Sequence, residues 1–389
     1  MKDVEVFRDL QREATEWRHY LHENPELDFQ EHNTAKFVTE KLASFGINRI
    51  ETGIAETGIV ALIQGERGDG PTIGLRADMD ALPIIEASNK PWSSKNPGIM
   101  HACGHDGHTA MLLGAAKHLA STRNFKGCVA LIFQPAEEPE APTGGQRMVQ
   151  EGIMDRFAIS QVFGMHIHPG IDIGKFGIRP GAIMGSQDDF DIVVKGRGGH
   201  AASPHRTVDP VSIAAQIIVG LQTLVSRKTD PMESLVISVT KLKASESYNT
   251  IPDQVEISGT VRTLASGLRD FAEQEIFAAA QGIARGLGAD VEFRYLRSVP
   301  VTFNHLEETK LAITAARNLV GPASVDDKMR VLMGAEDFAY MAEARPGAYI
   351  FLGNGPTVGC HHPAFDFDDE ALPYGIGYWV KLVETILAV

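Results

Sequence analysis

Four short apolar runs, Ile59–Ile63, Thr72–Leu75, Val129–Phe133 and Val162–Met165, constrain this chain more than any other feature. They are too short for buried helices, and helix-length segments at 31–45, 108–120 and 144–152 alternate with them. In the first of these segments Ala35, Val38, Leu42 and Phe45 share one helical face, and Gly46 follows as a stop. Apolar strands alternating with helices predict a largely parallel sheet covered by helices. The middle of the chain reads differently. Phe190–Val194 alternates as a strand, 208–227 is a helix opened by Asp209-Pro210, and Leu235–Leu242 and Val255–Leu264 are two more strands. A second long helix over 268–287 ends at Gly286 and Gly288, and Val291–Leu296 is a last strand. That order, β-α-β-β-α-β, is the ferredoxin-like pattern. After Pro300 the first pattern returns, with a helix at 306–320, a helical segment near 335–344, a strand at 348–352 and a helix from about 374. The expected fold is therefore α/β, a mixed, mostly parallel sheet flanked by helices. Residues 1–185 and 298–389 would form it, and 186–297 would be an inserted ferredoxin-like α+β domain. Two sequential domains are the alternative.

Composition narrows the class of partner. A chain of 389 residues exceeds one average domain, and 43% apolar residues suffice for sizeable cores. A formal charge of −14 argues against nucleic acid and against an anionic membrane, since both favour basic surfaces. Three cysteines, Cys103, Cys128 and Cys360, make no disulfide framework and fit a reducing cytoplasm. The opening residues lack the apolar core of a secretion signal, and no run approaches the ~18–20 apolar residues of a membrane span. The expected partner is a small molecule.

The densest chemical signal is Met100-His-Ala-Cys-Gly-His-Asp-Gly-His108, which offers Cys103, His105, Asp106 and His108 just before a helix. Thiolate, imidazole and carboxylate suit zinc and similar borderline ions. In an extended loop, Cys103 and His105 would face one site. Phe133-Gln-Pro-Ala-Glu-Glu138 follows an apolar strand, where α/β proteins place ligands, although Glu137 and Glu138, with Glu140 nearby, by themselves read rather as a solvated acidic loop. His166 and His168 close another strand and could face the same side. Cys360-His361-His362-Pro363 follows a fourth. Asp78 and Asp80, after the strand at Thr72–Leu75, either orient ligating imidazoles or cap their loop. A closed structural site needs only four ligands. This larger mixture of carboxylates and imidazoles suits a two-metal hydrolytic site.

Together these strings resemble the M20 metallopeptidase family, closest to its amidohydrolase branch of hippurate hydrolases, N-acyl-amino-acid amidohydrolases and auxin-conjugate hydrolases. The resemblance rests on residues 18–35, 75–84, 100–116 (MHACGHDGHTAMLLGAA), 133–138 (FQPAEE), 164–169 (GMHIHP), 196–205 (GRGGHAASPH), 333–340 (MGAEDFAY) and 361–367 (HHPAFDF). It implies a zinc-peptidase-like catalytic domain with an inserted lid and dimerisation domain. It also implies that Cys103, His105, Glu138, His166 and His361 hold two divalent metal ions per subunit, zinc first, with manganese, cobalt or nickel also compatible. His361 is favoured over His362 because the family pattern is His-x-Pro. Glu137 matches the catalytic acid/base. His200 matches a residue that stabilises the oxyanion from the other subunit of a homodimer. Asn249 and Arg262, around which no dense motif lies, are candidates for holding the substrate carboxylate. The implied reaction is hydrolysis of an N-acyl amino acid, with dipeptidase or carboxypeptidase action as the alternative. A non-catalytic metal-binding protein on the same scaffold is a further reading, disfavoured by the intact Glu137-Glu138 pair.

Overall fold

The apolar runs of the sequence become the central strands of an eight-stranded sheet. The computed structural model describes residues 2–139 and 141–389. The chain begins with α1 (Lys2–Glu23), α2 (His32–Ser44), β1 (Arg49–Ile54), β2 (Gly58–Gln64), β3 (Thr72–Asp78), α3 (His105–Thr122), β4 (Cys128–Gln134), α4 (Gly144–Gln150), α5 (Ile153–Arg156), β5 (Ile159–His168), β6 (Phe176–Gly177) and β7 (Gly181–Met184). It continues through β8 (Asp188–Lys195), β9 (Gly199–His200), α6 (Pro210–Thr223), β10 (Leu235–Lys243), β11 (Thr250–Ile251), β12 (Gln254–Thr263), α7 (Ser266–Gly286) and β13 (Asp290–Arg297). It ends with β14 (Thr302–Asn304), α8 (Leu306–Val320), β15 (Val325–Asp326), α9 (Phe338–Ala344), β16 (Gly347–Gly353) and α10 (Leu372–Ile386). Two compact units result. Unit 1 comprises Met1–Ile183, Phe303–Arg330 and Asp337–Val389, and unit 2 comprises Met184–Thr302 and Val331–Glu336.

The sheet of unit 1 has the order β1-β2-β4-β3-β5-β16-β6-β15 and draws strands from both sides of unit 2 in the chain. Its four central strands, β4, β3, β5 and β16, are mutually parallel, with Leu75 level with Leu131 and Phe163, and Met165 level with Ile350. β4 and β16 are buried along their whole length, which is why they read as unbroken apolar runs. Parallel pairing carries one consequence for function: all four strands end on the same edge of the sheet. The first two strands pair antiparallel. β1 went unread in the sequence because it is an edge strand whose side chains are mostly exposed, so RIETGI marks its inner face with Ile50 and Ile54 alone.

α3 lies inside the core and is buried nearly all round. Small residues let α10 approach it closely. A Cβ on Gly375 would lie 1.9 Å from Met111 Sδ, and one on Gly114 would lie 2.5 Å from Ile376 Cδ1. This packing fixes the N-terminal end of α3, where His105 begins the helix.

Unit 2 holds an antiparallel sheet of order β10-β12-β8-β13. Alternate residues of β8 (Phe190, Ile192, Val194) are buried against Ile213, Ile217 and Leu221 of α6 and Ile276 and Ala280 of α7. One face is therefore covered by helices and the other faces solvent, the usual arrangement of an antiparallel sheet. Asp209 caps α6 by accepting from Val211 N at 2.9 Å. α6 stops at Thr223 and passes into a π turn over Leu224–Lys228, instead of running on to 227. The helical segment expected near 335–344 begins only at Phe338, and the preceding stretch Val331–Glu336 belongs to unit 2.

Candidate metal centre

Each strand ending on the carboxyl edge of the unit 1 sheet delivers polar side chains to one place. β3 ends at Asp78 and leads to Asp80, and β4 leads to Glu137 and Glu138. β5 ends with His166 two residues from its terminus, and the loop after β16 carries Cys360 and His361. Cys103 precedes the N-terminus of α3. Here the expectation of an extended loop fails. Gly104 adopts φ +88°, the left-handed turn that starts the helix, and His105 is already helical. The turn brings the thiol and the imidazole to one centre.

Two overlapping groups of donor atoms share Cys103. In one, Cys103, His105 and His166 place their ligand atoms within 4.8 Å of one another. In the other, Cys103, Glu138 and His361 do the same. Ligands on opposite sides of one zinc-sized ion sit about 4–4.6 Å apart, twice a bond of ~2.0–2.3 Å. The spacing therefore fits cations. Cys103 Sγ lies 3.3 Å from His166 Nε2. Glu138 Oε1 lies 3.1 Å from His361 Nε2, a close but poorly aligned approach that leaves this oxygen without a hydrogen-bond donor. His105 Nε2 is also buried and has no hydrogen-bond partner among the described residues. Buried polar atoms without partners are costly, and a cation at this point would satisfy both. His361 itself has φ +65°, a strained conformation for a side-chain-bearing residue of the kind that persists at functional sites.

The imidazoles are oriented by hydrogen bonds on their far sides. His105 Nδ1 donates to Asp80, 3.0 Å from the main-chain O and 3.1 Å from Oδ1, so its Nε2 lone pair points inward. Asp80 Oδ2 also accepts from Glu138 N at 3.0 Å, so one carboxylate holds two donor residues. His166 Nδ1 donates to Ile167 O at 2.5 Å, leaving Nε2 to face Cys103. The local potential is negative. Burial alone would lower the His105 pKa, but Asp78, Asp80 and Glu138 raise it well above the ordinary value. Glu138 likewise raises that of His361. The Cys103 thiol is pushed up by the neighbouring Cys360 thiol, then by burial and by Glu138 and Glu137. Carboxylates crowding a thiol and two imidazoles make a place that favours positive charge.

The profile of peptidase family M20/M25/M40 matches residues 74–385. The chain belongs to that family. It is 42% identical over 371 residues to the N-acetylcysteine deacetylase of Bacillus subtilis, covering 95% of this chain and 96% of the relative. It is 42% identical over 376 residues to the hippurate hydrolase of Campylobacter jejuni, covering 96% of both. Among solved structures, the Bacillus subtilis YXEP protein, described as a dinuclear metal binding peptidase from the M20 family, superimposes with a TM-score of 0.86 at 38% identity over 98% of this chain and 99% of that one. This chain is thus an M20 hydrolase.

Several candidates of the dense motif turn elsewhere in this M20 hydrolase. His108 Nδ1 donates to Asp78 Oδ1 at 2.6 Å, and its Nε2 accepts from Ile167 N at 3.0 Å. Its donor atom lies in a group with Asp78 and His105, but both nitrogens are hydrogen bonded, and His108 ties β3 to β5. Asp106 pairs with His22 Nδ1 at 2.8 Å. His168 Nδ1 donates to Pro169 O at 2.7 Å, and its ring packs edge-on against Phe351. It joins no donor group among the described residues. His362 Nδ1 accepts from Ala364 N at 3.0 Å and likewise joins none. Asp78 sits between His108 and the buried Arg76, whose Nη1 donates to Asp78 Oδ2 at 2.6 Å. Glu137 lies with His105 and Glu138 in another group. His361→Ala should therefore lower bound metal, whereas His362→Ala should leave it unchanged; elemental analysis of the two purified variants checks this.

The sequence reading missed the supports beneath the site. Arg76, Gln134 and Asp337 form one buried network. Glu31 is buried, receives Thr57 Oγ1 at 2.5 Å and Ala136 N at 2.9 Å, and is pushed up to about 7 chiefly by burial. His22 bridges Asp106 and Glu86, 3.3 Å from Glu86 Oε1. Burial opposes its charge, but Asp106 and then Glu86 push it up to about 9. Burial also opposes the charge on Glu86, but His22, Ser88 and the Ser94 N–H pull it down to about 2. The raised histidine stabilises fully below its unfolded value of 6.5 and loses that contribution as pH rises toward 9. The lowered carboxylate stabilises fully above 4.5 and loses its contribution as pH falls toward 2. The bridge therefore contributes most between pH 4.5 and 6.5. His22→Ala should cost about 1–3 kcal/mol there, because buried Asp106 and half-buried Glu86 lose a charged donor while Arg18, Ser88 and the Ser94 N–H remain. Denaturant unfolding across pH should show the gap between wild type and variant narrowing above pH 6.5; a gap that widens above it would exclude a charged His22.

Proposed function

We propose that this M20 hydrolase cleaves the amide bond of N-acyl amino acids, releasing a carboxylic acid and a free amino acid. Cys103, His105, Glu138, His166 and His361 would hold two divalent ions, zinc before manganese, cobalt or nickel because one ligand is a thiolate. The observation that carries this reading is the pair of donor groups sharing Cys103, with Glu137 beside the same imidazole. When bound, such ions polarise a carbonyl and lower the pKa of water toward ~7. Glu137 is the general base that takes the proton from the attacking water and returns it to the leaving nitrogen. Glu138, next in the chain, is turned to the donor group, so the two carboxylates divide the tasks of binding and proton transfer.

In unit 2 the hydrogen bonding of His200 suits an oxyanion donor. Its Nδ1 accepts from Ala202 N at 3.1 Å, so the proton of the neutral ring resides on Nε2. A donor in that role is worth about 3–4 kcal/mol of transition-state stabilisation. Asn249 lies beside it, since Ala201 N donates to Asn249 O at 3.0 Å. Ser247 Oγ donates to Asn249 Oδ1 at 2.7 Å, which leaves the amide N–H groups to face a carboxylate. Arg262 is near the far end of β12, about 26 Å from the strand's start at ~3.3 Å per residue. Asn249 precedes that start, so one small substrate cannot touch both residues of a single chain. Their joint use, like that of His200 in trans, calls for a homodimer. β10 is the edge strand of the unit 2 sheet and exposes Val236 and Leu242, and α6 exposes Val211 and Val219. Such an edge invites pairing with a second copy.

Among the described residues no helix is long and apolar enough to cross a membrane. All three cysteines are free, which suits a reducing cytoplasm. The test is a side-by-side assay of hippurate, N-acetyl amino acids and dipeptides with metal-reconstituted protein. Acyl release from the first two classes is the expected result; turnover confined to dipeptides would replace the proposal with a dipeptidase.

A further inference from the structure

Two of the three cysteines of the chain meet at the candidate metal centre. Cys103 and Cys360 lie beside each other there, close enough for each thiol to act on the other. Their segments are joined by a main-chain bond from His361 N to Ala102 O at 2.8 Å. A bond of that length holds the two segments in contact, and a disulfide bridges Cα atoms ~4.4–6.8 Å apart. Cys128, the third cysteine, opens β4 at the strand end opposite to the one that leads to Glu137. Cys103 belongs to both donor groups, whereas Cys360 belongs to neither. Cys103 is buried and Cys360 is partly exposed, so a dissolved oxidant meets Cys360 first.

We infer that Cys103 and Cys360 form a reversible disulfide in the metal-free protein, and that bound metal prevents it. The inference rests on the metal-ligand role of Cys103 given above. The oxidant is a hydroperoxide, with hydrogen peroxide as the simplest case. The Cys360 sulfur attacks one peroxide oxygen, the O–O bond breaks, and the departing hydroxide takes the thiol proton to become water. Cys360 is now a sulfenic acid. The Cys103 sulfur displaces its oxygen, forming the S–S bond and breaking the S–O bond. The hydroxide released takes the Cys103 proton and leaves as a second water. Two thiols and one hydrogen peroxide give one disulfide and two waters, and the two electrons that reduce the peroxide come from the sulfurs. A small dithiol reverses the change by exchange. While it lasts, both donor groups lack their thiolate. With metal bound, the Cys103 lone pair is committed and cannot displace the sulfenic oxygen.

The test uses the full-length protein, stripped by chelation or loaded with zinc, and a small molar excess of hydrogen peroxide. Non-reducing peptide mapping should find residues 103 and 360 cross-linked in the stripped protein, and its titratable thiols should fall from three to one. Zinc affinity, read by calorimetry, should then drop roughly tenfold or more and return after dithiothreitol. Zinc-loaded protein should resist the cross-link. Cys360→Ser should bind zinc as wild type does before oxidation. After peroxide it should show no cross-link and keep its zinc affinity once dithiothreitol is added. Peroxide products without a cross-link in the stripped wild type would overturn the inference, and so would a cross-link forming equally fast with zinc bound. Zinc uptake by the reduced protein is measured first, so a failure of the metal reading shows before any oxidant is added.

Discussion

Glu137→Gln will retain its metal and lose turnover by about 10²–10⁴-fold, the range that general acid–base catalysis contributes. The amide has nearly the shape of the carboxylate and keeps an acceptor oxygen, so the donor groups around Cys103 are not disturbed. It cannot accept a proton at neutral pH, and the attacking water would have to lose its proton to bulk solvent. Glu138→Gln supplies the contrast. It weakens one of the two groups that share Cys103, so metal content should fall together with activity. Elemental analysis and single-turnover kinetics on the two variants separate these outcomes. Full activity in Glu137→Gln would remove this residue from the chemistry, and loss of metal in that variant would make it a ligand.

The contrast between these neighbouring carboxylates marks where sequence reading stops. The strand ends carrying Glu137, Glu138 and His166 were legible because β4, and β5 over Val162–Met165, are buried and announce themselves by apolar runs. The Cys103–His108 motif was legible as a candidate metal site because its candidates lie close in the chain. Which of them turn inward was not, since that depends on Gly104 starting the helix and on distant groups taking the rest: Asp78 holds His108, and His22 holds Asp106. The alternation of unit 2 was plain because its sheet buries only one face. β1 was hidden because an exposed edge strand needs no pattern. Arg76 and Gln134 did leave a signal. Each is a polar residue inside an otherwise buried strand, TIGLRAD or CVALIFQ, and such a residue must be paired. Its partner Asp337 follows Arg76 by 261 positions, so no local pattern could have named it. Helical propensity around 335–344 even pointed the other way, placing Asp337 within a helix instead of at its threshold.

Arg76→Met should be the most destabilising single change beneath the site, at about 3–5 kcal/mol. The guanidinium is buried and forks to Asp78 Oδ2 at 2.6 Å and to Asp337 Oδ1 at 2.9 Å, while Nε donates to Gln134 Oε1 at 2.9 Å. Methionine fills much of the volume, so the loss is not mainly a cavity. It comes from two carboxylates left buried without their cation. Asp337 keeps Gln134 and Gly145 N as donors. Asp78 keeps His108, but its pKa, held well below the ordinary range against the cost of burial by His105, Arg76 and His108, should rise. A weaker Asp78 would orient His108 and His105 less firmly, so metal affinity should fall about 10–100-fold, as when groups supporting a ligand are removed. The melting temperature of the apoprotein should drop by roughly 10 °C. Arg76→Lys should recover little, because an ammonium cannot fork to both carboxylates in one plane. Pairing Arg76→Met with Asp337→Asn should recover part of the stability, since one orphaned charge is removed, but none of the metal affinity, since Asp78 is still unsupported. A double variant that regains metal binding along with stability would show that Arg76 acts on the fold alone and that Asp78 does not depend on it.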